Sequence, residues 1–264
     1  MQQQTQKQKL VIGHKGCNCQ GLNFSSNTIE CFKYLINEVK TKKLENSFRM
    51  IEMDIRETKD KELIVFHDQY FIVKGEHHYI SDYTFTELEK LDGVCKLSDV
   101  IKYFLELWSS GDTQMQIYLD IKSNNNDFYK NLTKTFSECV NLDGEMKLLS
   151  KYICIGSFNH LLINNIKKCD HLNNFAVGYI LDGIINVESK YFNKINFVSV
   201  HEDYVDHYSD IKKKNRFKWD LYLYTINCMS YLEHKNISKI TGIVTDFPIQ
   251  FSERIIKKEN KKIE

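Results

Sequence analysis

The chain has 264 residues, 42% of them hydrophobic, and its 36 basic and 35 acidic side chains leave a net charge of +1. A balance this even argues against general nucleic-acid binding, which needs a basic face to neutralise phosphates, while the length suits one globular domain with a large core, or two small ones. No apolar run approaches the ~20 residues of a membrane-spanning helix, so no transmembrane segment is expected. The opening MQQQTQKQK is polar and the eight cysteines form no C-x-x-C pair, so free thiols in a reducing, cytoplasmic compartment are the expectation.

In chain order, residues 1–8 form a polar tail expected to be disordered. Short apolar runs rich in β-branched and aromatic residues then recur at 9–14, 47–54, 115–122, 151–158, 175–181, 196–201, 220–227 and 242–246. Each is strand-length, and their near-continuous apolar character fits strands covered on both faces. Amphipathic stretches at 27–40, 97–108, 127–140, 159–169 and 230–236 read as helices. Strand alternating with helix about eight times, in roughly 250 residues, predicts an α/β fold: a single (β/α)8 TIM-type barrel over 9–257, with a basic tail at 258–264. A doubly wound sheet is the alternative, weakened because no G-x-G-x-x-G or Walker motif follows an early strand.

One interval breaks the alternation. Residues 51–68 read IEMDIRETKDKELIVFHD, and the run 62–67 begins too soon after 47–54 for a helix to intervene. The turn cluster between them predicts an antiparallel hairpin after the second strand, with position 54 facing position 67 to within a residue. Glu52 and Asp54 share a face because strand side chains repeat every two residues. Two carboxylates so placed repel unless a cation lies between them, and oxygen ligands suit Mg²⁺ or Ca²⁺. The first strand ends in Gly13-His14-Lys15-Gly16 and the third apolar run in Leu119-Asp120-Ile121-Lys122. In a (β/α) barrel the C-terminal strand ends carry the chemistry, so these ends converge on one site.

These residues resemble the glycerophosphodiester phosphodiesterase family, within the wider superfamily that includes the phosphatidylinositol-specific phospholipases C. The family's H-R-G appears as His14-Lys15-Gly16, its E-N-T as Ser26-Asn27-Thr28, its E-x-D as Glu52 and Asp54, its H-D as His67-Asp68, and its E-x-K as Asp120 and Lys122. Later pieces match Ser157-Phe158, Tyr224-Thr225-x-Asn227 and Thr245-Asp246-x-Pro248. The ordered set spans residues 10–250. Lys15, Ser26, Asp120 and Tyr224 depart from the family's arginine, glutamate, glutamate and tryptophan; Lys15 trades a bidentate fork for a point charge.

The resemblance implies His14 and His67 as the acid–base pair, and Glu52, Asp54 and Asp120 as ligands of a divalent cation, Mg²⁺ or Ca²⁺. Lys15, Lys122, Asn27 and Tyr224 would bind substrate or phosphate. It implies a small-molecule glycerophosphodiester substrate, such as glycerophosphocholine, cleaved to glycerol 3-phosphate and an alcohol. Two readings compete: a lysophospholipase D acting on lipid-bearing analogues, with a rim from Phe71, Ile72 and Tyr79, and a degenerate barrel that binds phosphodiesters without turnover. His201 reads as an ordinary surface histidine, His77 and His78 as loop residues, and Cys17 and Cys19, in GCNCQG, as passive thiols.

Overall fold

Every one of the eight apolar runs becomes a strand of a closed parallel barrel in the computed structural model, which describes residues 9–140, 144–185 and 189–260. The strands are β1 (Leu10–Gly13), β2 (Phe48–Glu57), β3 (Gln116–Ile121), β4 (Ile153–Ser157), β5 (Ala176–Leu181), β6 (Phe197–His201), β7 (Asp220–Tyr224) and β8 (Gly242–Thr245). Each pairs in parallel with its neighbour in sequence order, and β8 pairs with β1 to close the ring. The polar tail at 1–8 and the last four residues of the basic tail lie outside the described residues. The final helix, Pro248–Asn260, runs three residues past the boundary expected at 257.

Strand alternation sorts the core into two compartments. Ile12, Met50, Tyr118, Cys154, Ile180, Phe197, Tyr222 and Val244 point inward and fill the barrel. The intervening residues pack outward against the helices in a much larger core. Gly156 makes room inside: a Cβ there would come within 2.6 Å of the Tyr118 ring, so the absence of a side chain on β4 lets Tyr118 lie across the barrel. Outside, helix α1 (Ile29–Lys42) buries Phe32, Leu35, Ile36 and Val39, each contributing ~1.5–3 kcal/mol by leaving water. Its start is fixed by Thr28, whose Oγ1 accepts from the Cys31 backbone N–H at 3.2 Å.

The antiparallel hairpin forms: β2 continues to Glu57 and pairs with Leu63–Val65 in the register Ile55↔Val65, which sets Phe66 opposite Asp54, within one residue of the expected pairing with His67. Three local expectations are corrected. The excursion after β2 is richer than a single hairpin: Cys95–Lys96 adds a third antiparallel strand, and Tyr70–Val73 pairs with Glu76–Tyr79 in a separate ribbon. His77 and His78 therefore lie in a strand, not a loop. The stretch 230–236 is not an α-helix but part of two 3₁₀ segments, Met229–Glu233 and Lys235–Lys239. His234 divides them in an extended conformation, its Nδ1 accepting from the Asn236 backbone N–H. Helices Glu145–Tyr152 and Val205–Asn215, together with the closing helix, complete the outer layer.

Candidate active site

The C-terminal ends of β1, β2 and β3 meet at the barrel mouth. His14, Glu52, His67, Asp120 and Lys122 line a cavity of about 270 Å³ there, facing Tyr118, Phe158, Ile180 and Tyr224. Glu52, Asp54 and Asp120 are 3%, 1% and 6% exposed, and one oxygen from each lies within 4.8 Å of the others. The cause is register: Asp54 on β2 stands beside Asp120 on β3, and Glu52 sits one side-chain repeat below.

Three buried carboxylates with one nearby cation cannot all hold a full charge. Lys122 Nζ lies 2.5 Å from Asp120 Oδ2 and 3.2 Å from Asp54 Oδ1, and the attraction of both acids outweighs burial to raise its pKa. Burial, with the charges of Asp54 and Asp120 adding to it, pushes Glu52 well above the carboxylate range. Burial also lifts Asp120, to about 6, against the pull of Lys122. At Asp54 the burial penalty is overcome by Lys122, by both imidazoles and by the Asn27 hydrogen bond, and its pKa falls. Asp120 Oδ1 is buried without a hydrogen-bond partner, a costly state for a carboxylate oxygen, and Asp54 Oδ1 makes no hydrogen bond beyond its ion pair with Lys122. Converging carboxylate oxygens with this little satisfaction are what a hard divalent cation binds; the donor set fits such an ion.

The loop after β1 holds this cluster in place. Lys15 and Gly16 both have left-handed backbones, with φ of 50° and 83°, and the turn aims the Lys15 N–H at Glu52 Oε2 over 2.8 Å. Lys15 also borders an adjoining cleft with Ser25, Asn27 and Asp68; the group it sets against Glu52 is its backbone N–H. Asn27 reaches Asp54 in both directions: its Nδ2 donates to Oδ2 at 2.8 Å, and its Oδ1 accepts from the Asp54 backbone N–H at 3.4 Å. Asn27 therefore orients a carboxylate from outside, while Thr28 caps the helix. The Tyr224 hydroxyl donates to Leu181 O at 2.9 Å, leaving its ring to face the cavity.

Each histidine has its own aspartate. His14 Nδ1 is 2.7 Å from Asp246 Oδ1, and His67 Nδ1 is 2.7 Å from Asp68 Oδ1. The His14 contact holds the Asp246 carboxyl below its usual range, and Asp246 is itself fixed by a 2.5 Å bond from Asn227 Nδ2. A carboxylate on Nδ1 sets tautomer and ring orientation, leaving Nε2 of both rings for chemistry. Asp246 and Asn227 are pieces of matched motifs to which the sequence assigns no task; the signal was their late T-D and T-x-N pattern. His201 lies outside this arrangement, its Nδ1 accepting from the Asp203 backbone N–H at 3.4 Å.

The model of the glycerophosphoryl diester phosphodiesterase family matches residues 21–250. The chain belongs to this family. It is accordingly a phosphoric diester hydrolase on a TIM barrel, and the matched span begins downstream of His14 and Lys15. A glycerophosphodiester phosphodiesterase of Caldanaerobacter subterraneus is 26% identical over 251 residues, covering 90% of this chain and 94% of the relative. Among solved structures, a glycerophosphodiester phosphodiesterase from Parabacteroides distasonis superposes with a TM-score of 0.74 at 16% identity, covering 96% and 99% of the two chains. An Oleispira antarctica phosphodiesterase in complex with sn-glycerol-3-phosphate matches with a TM-score of 0.67 at 18% identity, over 95% and 97%.

Proposed function

We propose that the protein hydrolyses glycerophosphodiesters such as glycerophosphocholine to glycerol 3-phosphate and an alcohol, with a divalent cation and two histidines at the barrel mouth. The observation that carries this reading is a cluster of three buried carboxylates, two of which, Glu52 and Asp120, line one cavity with two aspartate-held imidazoles. Glu52, Asp54 and Asp120 would hold Mg²⁺ or Ca²⁺. The ion, when bound, supplies electrostatic stabilisation of the phosphoryl oxygens.

The chain's own groups do the rest. One imidazole Nε2 takes the proton from the glycerol 2-hydroxyl as it attacks phosphorus, and the other gives a proton to the departing alcohol, leaving a cyclic glycerophosphate. Water then opens that ring with the two imidazoles in exchanged roles to give glycerol 3-phosphate, the work of residues whose ordinary pKa lies near neutrality. Asp246 and Asp68 keep each ring in the tautomer that task requires. Lys122, within the carboxylate cluster, adds positive charge beside the phosphoryl group, and the Phe158 and Tyr224 rings exclude water from the far side of the cavity. Release of glycerol 3-phosphate from glycerophosphocholine by the purified protein tests the reading; no release under any divalent cation would refute it.

A lysophospholipid substrate is the second reading, favoured by exposed apolar side chains on the excursion that follows His67. Ile72, Val73 and Tyr79 are 62%, 43% and 46% exposed. Phe71, expected on that rim, instead stacks on His78 and meets the Tyr83 ring edge-on. Comparing turnover of glycerophosphocholine with that of lysophosphatidylcholine separates the two readings.

A further inference from the structure

Beyond the carboxylate cluster, the described residues contain one other group of ligand atoms close enough to share a metal ion: the sulfurs of Cys17, Cys19 and Cys31. The first two sit in the loop after β1, and the third in the first turn of α1. Their Sγ atoms form a nearly equilateral triangle with sides of 3.9 Å between Cys17 and Cys19, 3.7 Å between Cys17 and Cys31, and 3.6 Å between Cys19 and Cys31. A metal–sulfur bond of ~2.3 Å in a tetrahedral site sets neighbouring sulfurs ~3.8 Å apart. The triangle matches the base of such a tetrahedron without rearrangement. We propose that Cys17, Cys19 and Cys31 form a second metal site, a three-thiolate seat for a thiophilic d¹⁰ cation of the zinc class, separate from the carboxylate site and blind to Mg²⁺ and Ca²⁺.

Several features of the surroundings fit this assignment. Sulfur donors select soft ions, whereas carboxylates take hard ones, so the two clusters would not compete for the same cation. Cys17 and Cys31 are buried and Cys19 is half-buried, which shields the sulfurs yet leaves one edge open. A cleft of about 130 Å³, bordered by Asn18, Leu22 and Tyr34, reaches Cys17 from outside and offers an entry path and room for a fourth, non-protein ligand. Binding converts three thiols to thiolates and releases three protons to solvent; the resulting net charge of −1 lies against the partly positive N-terminal turn of α1. Gly16 is required for this packing, because a Cβ there would come within 2.6 Å of Cys31 Sγ. Without metal, the Cys17 thiol is drawn below its ordinary pKa, chiefly by the hydrogen bond from Cys31, while burial pushes Cys19 up to about 11 and the hydrogen bond to Cys17 pushes Cys31 up. The loop pinned by the ion is the one that begins with His14, so loading would stiffen the segment that presents that ring.

The test is a titration of the freshly reduced full-length protein with Cd²⁺ in excess Mg²⁺, following the thiolate-to-cadmium charge-transfer band, then displacement by Zn²⁺. The band should saturate at one equivalent. Cys19→Ser should weaken binding by more than about 100-fold, beyond the upper end of what is lost when a group that only orients a ligand is removed. Cys154→Ser and Cys139→Ser, whose thiols lie elsewhere, should titrate like the parent. Because Cys19 is half-buried, its serine variant carries the test if Cys31→Ser fails to fold. Failure to saturate at one equivalent, or an unchanged titration in Cys19→Ser, would overturn the proposal. Turnover of glycerophosphocholine by Cys19→Ser with Mg²⁺ is read in parallel, so failure of this site and failure of the proposed hydrolysis stay distinguishable.

Discussion

The two walls of the cavity are built from different chemistry. The wall from β1, β2, β3 and the excursion after β2 carries His14, Glu52, His67, Asp120 and Lys122, while the wall from β4, β5, β7 and β8 carries Phe158, Ile180, Tyr224 and Val244. On the charged wall nearly every side chain is held by another: Glu52 by the Lys15 N–H, Asp54 by Asn27, His14 by Asp246 and His67 by Asp68. On the apolar wall the Tyr224 hydroxyl is turned away to a backbone carbonyl, and Ser199 and Thr225 are the other polar residues that line that side. The difference teaches where energy is stored. The charged wall is costly to fold, a cost that the proposed cation and phosphate would offset; the apolar wall stabilises the barrel and shapes the space.

Substitutions on the charged wall should therefore hurt catalysis most. His14→Ala or His67→Ala should each lower kcat by about 10²–10⁴, read from glycerol 3-phosphate release, with thermal stability little changed. Asn27→Ala removes only the group that orients Asp54, and should weaken metal affinity or activity by about 10–100-fold, measured by calorimetric titration of the cation. Parent-like affinity in that variant would remove Asn27 from the support of the site.

Asp120 gives a sharper contrast, because it should harm stability while serving function. Its pKa is lifted to about 6 by burial, so the folded protein holds this proton to higher pH than the unfolded chain does. The stabilisation from neutral Asp120 is complete below about pH 4 and is lost as pH rises through about 6. Without metal, the stability of the parent relative to Asp120→Asn should fall across that window by on the order of 2–3 kcal/mol, measured by urea unfolding in chelator. A difference independent of pH would contradict the burial argument. On the apolar wall, Tyr224→Phe should do least, leaving kcat within about fivefold, the worth of one neutral hydrogen bond.

The barrel was legible because its cues are local. Eight apolar runs at regular spacing need only chain-order reading, and the shared face of Glu52 and Asp54 follows from strand geometry. The hairpin was visible from a gap too short for a helix and its register to within one residue, but not the length of its strands, since nothing in TKDKE says that β2 runs on to Glu57. What escaped depends on contacts between distant positions. Asp246 meets His14 across 232 positions, and Cys31 joins Cys17 and Cys19 only because α1 packs its first turn on the loop. Lys15 was read by its charge, yet the left-handed turn makes its backbone N–H the group that touches Glu52.

The central claim is that the three carboxylates exist to hold a divalent cation. The most direct measurement is glycerol 3-phosphate release after exhaustive chelation and stepwise addition of Mg²⁺ or Ca²⁺, for the parent and for Glu52→Gln. The parent should lose turnover on chelation and regain it in proportion to one bound ion, while Glu52→Gln should need a far higher concentration of the same ion. Full turnover in chelator, or identical cation dependence in the two proteins, would contradict it.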